Sequence, residues 1–167
     1  MKRVKSKEVE EVDPMSAMTR ILVVDDDEVV RRSHLRSLCA IRCSVEGAWN
    51  GYEALRAMAR DPFDVVLLDL RMPGMDGMTV LKTIKEKWPE SEVVIITGYP
   101  SVETAKEAVR LGAFDYIAKP VGPDDVISAT TGAATQKRWS LHRDRAEKLG
   151  ATTRDAGTRG SDGSPAH

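Results

Sequence analysis

The sequence predicts an α/β fold in which a five-stranded parallel sheet is covered by helices on both faces. Three short runs are apolar throughout and rich in β-branched residues, namely residues 21–24, 65–68 and 93–96. Strands have this composition when both faces of the sheet are covered, because neither face then meets solvent. Helical spacings of apolar residues separate the runs, and this alternation of strand and helix is typical of a parallel sheet.

Two weaker runs, residues 42–46 and 114–118, are predicted to complete the sheet as its second and fifth strands. The first four helices are predicted from apolar residues three and four positions apart, which lie on one helical face. Helix by helix, these stripes are Val30, His34, Leu38 and Ile41; Ala54, Leu55 and Met58; Met78, Leu81, Ile84 and Trp88; and Val102, Ala105, Val109 and Gly112.

The helix boundaries are predicted from capping residues. Asp76 is a suitable N-cap for the third helix, and Gly112 fits the end of the fourth. The fifth helix should begin near Pro123, with acidic residues in its first turn where the helix dipole favours anions. Residues 130–132, Thr-Thr-Gly, are poor helix formers, so this helix either runs long or breaks there. His34 and the three tryptophans, Trp49, Trp88 and Trp139, are interpreted as core or packing residues.

Composition limits the organisation and the class of the protein. Residues 1–18 are predicted to be a charged mobile lead, residues 19–140 the folded domain, and residues 141–167 a helix extension and a tail, disordered from residue 151. The formal net charge is -1, without the basic excess of a nucleic-acid-binding chain, so we expect no direct nucleic-acid contact. No secretory signal and no apolar run of ~20 residues occurs, so we expect a cytoplasmic protein with no membrane contact.

Polar residues follow four of the predicted strands, at the point where each strand ends. They are Asp25-Asp26-Asp27, Asp69, Thr97-Gly98 and Lys119-Pro120. The carboxyl ends of parallel strands meet at one edge of a sheet, where ligands bind in such folds. Clustered carboxylates repel each other and suit Mg²⁺, which takes oxygen ligands from one or two carboxylates and a phosphate. A lysine would balance a further anion and a threonine hydroxyl would donate to it, so the set predicts a site for a metal and a phosphoryl group.

Each member of the set has an ordinary structural role as an alternative. The three consecutive aspartates could cap the first helix, and Asp69 could belong to a turn before Met72-Pro73-Gly74. Thr97 could be an ordinary residue at a strand end, and Lys119 a solvated lysine. Chemically matched residues at four strand ends nevertheless favour a common site.

The chain closely resembles the receiver domain of two-component response regulators. The stretches that carry the resemblance are residues 21–27, 50–55, 64–77, 96–98 and 112–120. The likeness covers about residues 19–140, and between Thr97 and Pro120 it is similar in style to receivers of the nitrogen-regulator type. It implies the flavodoxin-like architecture, with strand order 2-1-3-4-5 and five helices.

The resemblance also implies roles for the site residues. Asp69 would be the phosphoacceptor, taking a phosphoryl group from a phosphohistidine on a sensor histidine kinase or a phosphotransfer protein. Asp26, Asp69 and the backbone carbonyl of Arg71 would bind Mg²⁺ directly, and Asp25 largely through a metal-bound water. Lys119 would pair with Asp69 at rest and with a phosphate oxygen after transfer.

The same resemblance implies a conformational switch. Thr97 would rotate to bond the phosphate, and Tyr116 would follow it inward as the aromatic switch. The peptide bond between Lys119 and Pro120 would be cis, which proline makes accessible.

The remaining predictions concern two residues at the mouth of the site, the class of activity and the surface that binds a partner. Arg71 and Tyr99 are predicted to tune how fast water reaches the phosphoryl group. The chain is expected to be a signalling domain with self-phosphorylation and slow self-dephosphorylation rather than a turnover enzyme. Because the last predicted elements leave little room for an output domain, we expect a stand-alone receiver that docks on an unknown downstream protein through helix 4, strand 5 and helix 5. A homodimer through the same face stays open.

Three alternatives remain at this point. The first is a phosphatase of the haloacid-dehalogenase type with Asp25 as nucleophile, since Asp25, Asp27 and Val29 fit its DxDx(T/V) pattern. It would leave Asp69 without a role. The second is a receiver fold that works as an interaction module without being phosphorylated. The third is a receiver fragment of a longer transcriptional regulator.

Overall fold

The computed structural model describes residues 18–155, and the predictions for residues 1–17 and 156–167 lie outside this range. The strands are β1 (Thr19–Val24), β2 (Cys43–Ala48), β3 (Val65–Leu68), β4 (Glu92–Thr97) and β5 (Asp115–Ala118). The helices are α1 (Glu28–Leu38), α2 (Gly51–Arg60), α3 (Gly77–Lys87), α4 (Val102–Arg110) and α5 (Pro123–Asp155). Strand and helix alternate along the described chain, as the sequence predicts.

The five strands form one parallel sheet in the order β2-β1-β3-β4-β5, which confirms the predicted architecture. The register places Val24 of β1 beside Leu68 of β3, and Thr97 of β4 beside Ala118 of β5. The carboxyl ends of these four strands are therefore aligned at one edge, and the residue after each strand enters a common space.

The core has one layer on each face of the sheet. In β1, Leu22 and Val24 face a cluster that includes α2 and α3, whereas Ile21 and Val23 face a cluster that includes α5. Burial of a Leu, Ile or Val side chain contributes about 1.5–3 kcal/mol. The sheet is thus held from both faces, and strands that are apolar on every residue are the sequence signature of this arrangement.

Four helices begin at a side chain that accepts a backbone N–H hydrogen bond. Asp27 caps α1, Asn50 caps α2, Asp76 caps α3 and Ser101 caps α4. Such caps satisfy N–H groups that have no partner within the helix and contribute about 1 kcal/mol each. Gly112, with φ of 92°, follows the end of α4 in the left-handed region that glycine adopts at little cost. The predicted caps are confirmed.

The apolar stripe predicted for α4 is not the face that the helix buries. Val102 and Val109 belong to that stripe, but they are 64% and 69% exposed. Ala108 is instead the buried residue of the helix. Apolar residues at both 102/105/109 and 105/108/112 satisfy helical spacing, and the small alanine side chains allow the helix to lie close to the sheet.

The fifth helix runs long and does not break. It continues through residues 130–132, where the Thr130 hydroxyl donates to the carbonyl of Val126 (2.7 Å) and Gly132 lies against the ring of Phe114. Tertiary packing therefore overrides weak intrinsic propensity. Residues 151–155, predicted as the start of a disordered tail, belong to this helix.

The aromatic packing residues were only partly predicted. Trp88 packs against the core, and His34 is buried as expected. Trp49 and Trp139 are 55% and 70% exposed, because each lies outside the stretches that face the sheet. No helix within residues 18–155 has the length and apolar composition needed to cross a bilayer.

Candidate functional site

Backbone hydrogen bonds beyond the strands align the predicted site residues. The Asp69 N–H donates to the carbonyl of Val24 (3.0 Å), and the Lys119 N–H donates to the carbonyl of Thr97 (2.8 Å). Because the ladder continues past the ends of the strands, these positions are fixed by the sheet rather than by flexible loops.

Three carboxylates converge at this edge. Asp25, Asp26 and Asp69 each offer one oxygen atom, and these oxygens all lie within 4.8 Å of one another. Asp25 and Asp69 are buried, whereas Asp26 is exposed at the mouth of the site. A set of oxygen donors with excess negative charge fits Mg²⁺, which needs only one or two carboxylates from the protein. The three aspartates among the expected metal ligands are therefore close enough to share one cation, and the part of the backbone carbonyl of Arg71 stays a prediction.

Lys119 lies between two of these carboxylates. Its Nζ donates to Oδ2 of Asp25 at 2.7 Å and lies 3.6 Å from Oδ2 of Asp69. Lys119 therefore pairs with Asp69, as expected, and also makes a closer contact with Asp25 that the sequence did not indicate. The backbone N–H of Asp27 holds the other oxygen of Asp25 (2.9 Å), which orients the carboxylate and leaves Oδ2 for the lysine.

Burial and charge set the protonation of the site. Burial raises the pKa of Asp69, the charge of Lys119 lowers it in part, and Asp25 raises it further. Burial alone would lower the pKa of Lys119, but its hydrogen bond to Asp25 and the attraction of both carboxylates raise it overall. Lys119 is therefore charged at neutral pH, while the carboxylate form of Asp69 is held at a cost in free energy.

Arg71 and Tyr99 meet at the mouth of the site. The guanidinium carbon of Arg71 lies 3.9 Å from the centroid of the Tyr99 ring, and both residues are exposed. The backbone N–H of Tyr99 donates to the hydroxyl oxygen of Thr97 (3.1 Å), which is fully buried. The loops that follow β3 and β4 are thus joined beside Asp69.

Tyr116 contacts the start of α4. Its hydroxyl lies 2.6 Å from Oγ1 of Thr104 and accepts the backbone N–H of Ser101 (3.2 Å). The peptide bond between Lys119 and Pro120 is cis, as the resemblance implied.

Sequence reasoning missed four residues that shape the site. Two of them, Ser101 and Thr104, contact the Tyr116 hydroxyl, and the available signal was Ser101 as a preferred N-cap residue for α4. Arg31 donates to the carbonyl of Asp25 (2.7 Å), and nothing in the sequence pattern indicated this. At Gly77, an added Cβ would lie 2.3 Å from the backbone oxygen of Asp69. The first turn of α3 therefore packs directly on the backbone of the site.

His34 lies behind the site and forms part of the core. Burial lowers its pKa, the charge of Asp25 opposes this, and the charge of Lys119 adds to it. A buried histidine of this kind stays neutral at physiological pH, which agrees with its interpretation as a core residue.

Comparison with known proteins gives one consistent family. Residues 21–131 match the family model described as the response regulator receiver domain. The regulatory protein AtoC of Escherichia coli is 43% identical over 112 residues, which are 67% of this chain and 24% of AtoC. The DNA-binding transcriptional regulator NtrC of Salmonella typhimurium is 36% identical over 133 residues, 80% of this chain and 28% of NtrC.

Among solved structures, a CheY-like response regulator receiver domain protein from Methanospirillum hungatei superposes with a TM-score of 0.72. It is 29% identical, and the match covers 74% of this chain and 99% of that one. This chain thus spans about a quarter of the length of the curated relatives, and nearly the whole of this single-domain structure.

Proposed function

Because the chain belongs to the family of receiver domains of two-component response regulators, we propose that Asp69 is its phosphoacceptor. The phosphoryl donor is a phosphohistidine on a sensor histidine kinase or a phosphotransfer protein. One observation carries the assignment: Asp69 is a buried carboxylate at a strand end, with Lys119 at 3.6 Å and two further carboxylates in the same cluster.

In the proposed transfer, one carboxylate oxygen of Asp69 attacks phosphorus and forms an oxygen–phosphorus bond. The phosphorus–nitrogen bond breaks, and its electron pair returns to the imidazole of the donor. The product on Asp69 is an acyl phosphate. Such transfers need positioning and charge neutralisation more than covalent help, and the sheet ladder and Lys119 supply these.

Phosphorylation and Mg²⁺ are features of this family. Asp25, Asp26, Asp69 and the backbone carbonyl of Arg71 would hold the ion, Asp25 largely through a water. When bound, Mg²⁺ would neutralise negative charge on the transferring phosphoryl group. The acidic cluster, with only Lys119 as its counter-charge among the contacts described above, supports this assignment.

After transfer, Lys119 exchanges its contact with Asp25 for a phosphate oxygen. Thr97 exchanges the N–H of Tyr99 for the phosphate, and Tyr116 turns inward from the start of α4. Arg71 and Tyr99 remain at the mouth and set the rate at which water reaches the acyl phosphate. The Lys119 ammonium and the Thr97 hydroxyl can each donate a hydrogen bond to a phosphate oxygen, which supports the proposed exchange of partners.

The output is a protein contact through α4, β5 and α5, with slow self-dephosphorylation rather than turnover of a substrate. The exposed Val102 and Val109 on α4 support this surface, and the same face would serve a homodimer. The downstream protein and a cytoplasmic location stay predictions. The absence of direct nucleic-acid binding also stays a prediction for these residues, since NtrC is named as a DNA-binding regulator.

The alternatives now differ in weight. The hypothesis of a phosphatase with Asp25 as its nucleophile is not favoured, because the chain belongs to the receiver family. A receiver that is not phosphorylated, and a receiver that is part of a longer transcriptional regulator, both agree with family membership.

Phosphotransfer from purified histidine kinases to the full chain tests the proposal, with Asp69→Asn as the test variant. Asp144→Asn, which makes the same change on the exposed side of α5, is the control. We expect an alkali-labile label on the wild type and on the control, and none on Asp69→Asn. Persistence of the label in Asp69→Asn would overturn the assignment, and a label mapped to Asp25 would restore the phosphatase reading. Amide spectra that do not respond to beryllofluoride with Mg²⁺ would favour the unphosphorylated module.

A further inference from the structure

Helix α4 is held to the domain by few apolar contacts. Of its nine residues, all of which are described, Ala108 alone is buried. Its two valines are exposed, as shown above, so little apolar burial opposes its movement. Elements with few buried contacts open at low free energy, and moving elements are drawn from this group.

Polar contacts hold the first turn of this helix. Ser101 is the N-cap of α4, and its hydroxyl accepts the N–H of Thr104 (3.1 Å). The Tyr116 hydroxyl lies 2.6 Å from Oγ1 of Thr104 and accepts the N–H of Ser101 (3.2 Å). One phenol on β5 therefore makes two hydrogen bonds to the start of α4.

The loop between β4 and α4 is held by a hydroxyl at each end. At its start, the hydroxyl of Thr97 accepts the N–H of Tyr99 (3.1 Å). At its end, the hydroxyl of Tyr116 accepts the N–H of Ser101 (3.2 Å). If Thr97 turns to a phosphate, the first of these two contacts is lost, whereas the contacts of Tyr116 still hold the end of the loop that leads into α4.

We propose that Thr104 and the N–H of Ser101 form a latch on the Tyr116 hydroxyl that holds α4 in its resting position. Thr104 thereby sets how often the unphosphorylated protein visits its signalling conformation. Thr104 is a positioning residue, since its described contacts are with Ser101 and Tyr116 and not with the carboxylates. The inference rests on the proposed function, in which Thr97 and Tyr116 are the switch residues.

Hydrogen exchange on the unphosphorylated full chain tests the latch, using Thr104→Val, Tyr116→Phe and the double variant. We expect the amides of Ser101 and of the first turn of α4 to exchange about fivefold faster in each single variant. This is the factor that loss of ~1 kcal/mol produces, a usual net value for one hydrogen bond. Thr135→Val is the control, because it removes a helical hydroxyl that bonds only within α5 among the contacts described, and it should leave α4 unchanged.

The double variant separates the latch from the helix cap. Tyr116→Phe leaves the bonds between Ser101 and Thr104 in place, so a shared latch predicts that the two substitutions are not additive. Unchanged exchange in Thr104→Val, or full additivity in the double variant, would overturn the proposal.

Labelling of Asp69 by a small phosphoryl donor gives the functional readout. Thr104→Val should raise the labelling rate about fivefold over the wild type, since the competent conformation is then more populated. Faster exchange in α4 without faster labelling would overturn the role of the latch in signalling. Failure of every variant and of the wild type to be labelled would instead overturn the role of Asp69, and the exchange result would remain interpretable.

Discussion

The guanidinium of Arg71 stacks on the ring of Tyr99, with its Cζ 3.9 Å from the ring centroid. The contact joins the loop after β3, which carries Asp69, to the loop after β4, which begins directly after Thr97. An exposed cation–π contact contributes about 0.5–1 kcal/mol. It is therefore strong enough to cover the mouth of the site for most of the time, and weak enough to open.

Removing this stack should shorten the lifetime of the acyl phosphate. With Arg71→Ala and Tyr99→Ala combined, we expect the phosphoryl group to be lost about threefold to fivefold faster, because water gains access as the ~1 kcal/mol contact disappears. The measurement is the decay of label on purified phosphorylated protein. Trp139→Ala removes an exposed ring from α5 and should not change the decay. An unchanged rate in the Arg71/Tyr99 variant would show that these residues do not control access of water.

Loss of Lys119 should make the fold more dependent on Mg²⁺. Without metal, Lys119→Met leaves Asp25 and Asp69 unbalanced, so the free energy of unfolding should fall by about 2 kcal/mol. Mg²⁺ binds the folded carboxylates and should stabilise the variant more than the wild type. Urea unfolding with EDTA and with Mg²⁺ measures both effects.

Lys137→Met is the matched control for that experiment. Lys137 pairs with Asp64 at 2.6 Å, at the other end of the sheet from the acidic cluster. Loss of Lys137 should lower the free energy of unfolding. The increase in this free energy on adding Mg²⁺ should equal that of the wild type. An equal gain from Mg²⁺ in Lys119→Met would mean that Lys119 and the metal do not share these carboxylates.

The raised pKa of Asp69 predicts a pH-dependent gain in stability for Asp69→Asn. Because burial raises this pKa in the folded state, the folded chain binds the Asp69 proton more tightly than the unfolded chain does. The wild type therefore loses stability as pH rises from the ordinary carboxyl range, ~3.9, through the raised value. Asn has no such loss, so in EDTA the variant should be more stable at pH 7, on the order of 1 kcal/mol.

This difference should shrink as pH falls through the raised pKa of Asp69, because the side chain then becomes protonated in the folded state. Urea unfolding at several pH values measures it. A variant that is less stable than the wild type at pH 7 would mean that the attraction of Lys119 outweighs the burial of the carboxylate.

Gly77→Ala should disturb the backbone that carries Asp69. Its Cβ would lie 2.3 Å from the Asp69 oxygen and 2.7 Å from Cα of Leu70, so α3 or the loop must move. We expect a loss of about 1–3 kcal/mol in the free energy of unfolding and weaker Mg²⁺ binding. Gly150→Ala is the control, because its Cβ meets no atom within 4 Å. Wild-type stability and Mg²⁺ affinity in Gly77→Ala would contradict the need for this close approach.

The strands of the sheet and the residues at its carboxyl edge were predictable from the sequence. Continuous apolar runs mark strands buried on both faces, and Asp25, Asp69 and Thr97 follow or end such runs. Lys119 follows the weaker run at residues 114–118. In a parallel sheet these ends must meet, so identifying the strands was sufficient to bring the residues together. The resemblance then added the strand order, which the structure and the comparisons confirm.

The contacts between separate elements were not predictable from the sequence, because they depend on tertiary packing. Periodicity allowed two faces of α4 to be the buried one, and the choice between valines and alanines depended on the space left beside the sheet. Three contacts join residues that are far apart along the chain. They are the pairing of Lys119 with Asp25, the stack of Arg71 on Tyr99 and the contact of Thr104 with Tyr116. Spacing along a chain specifies which face of one element is buried, whereas contacts between elements depend on distances and orientations that packing alone sets.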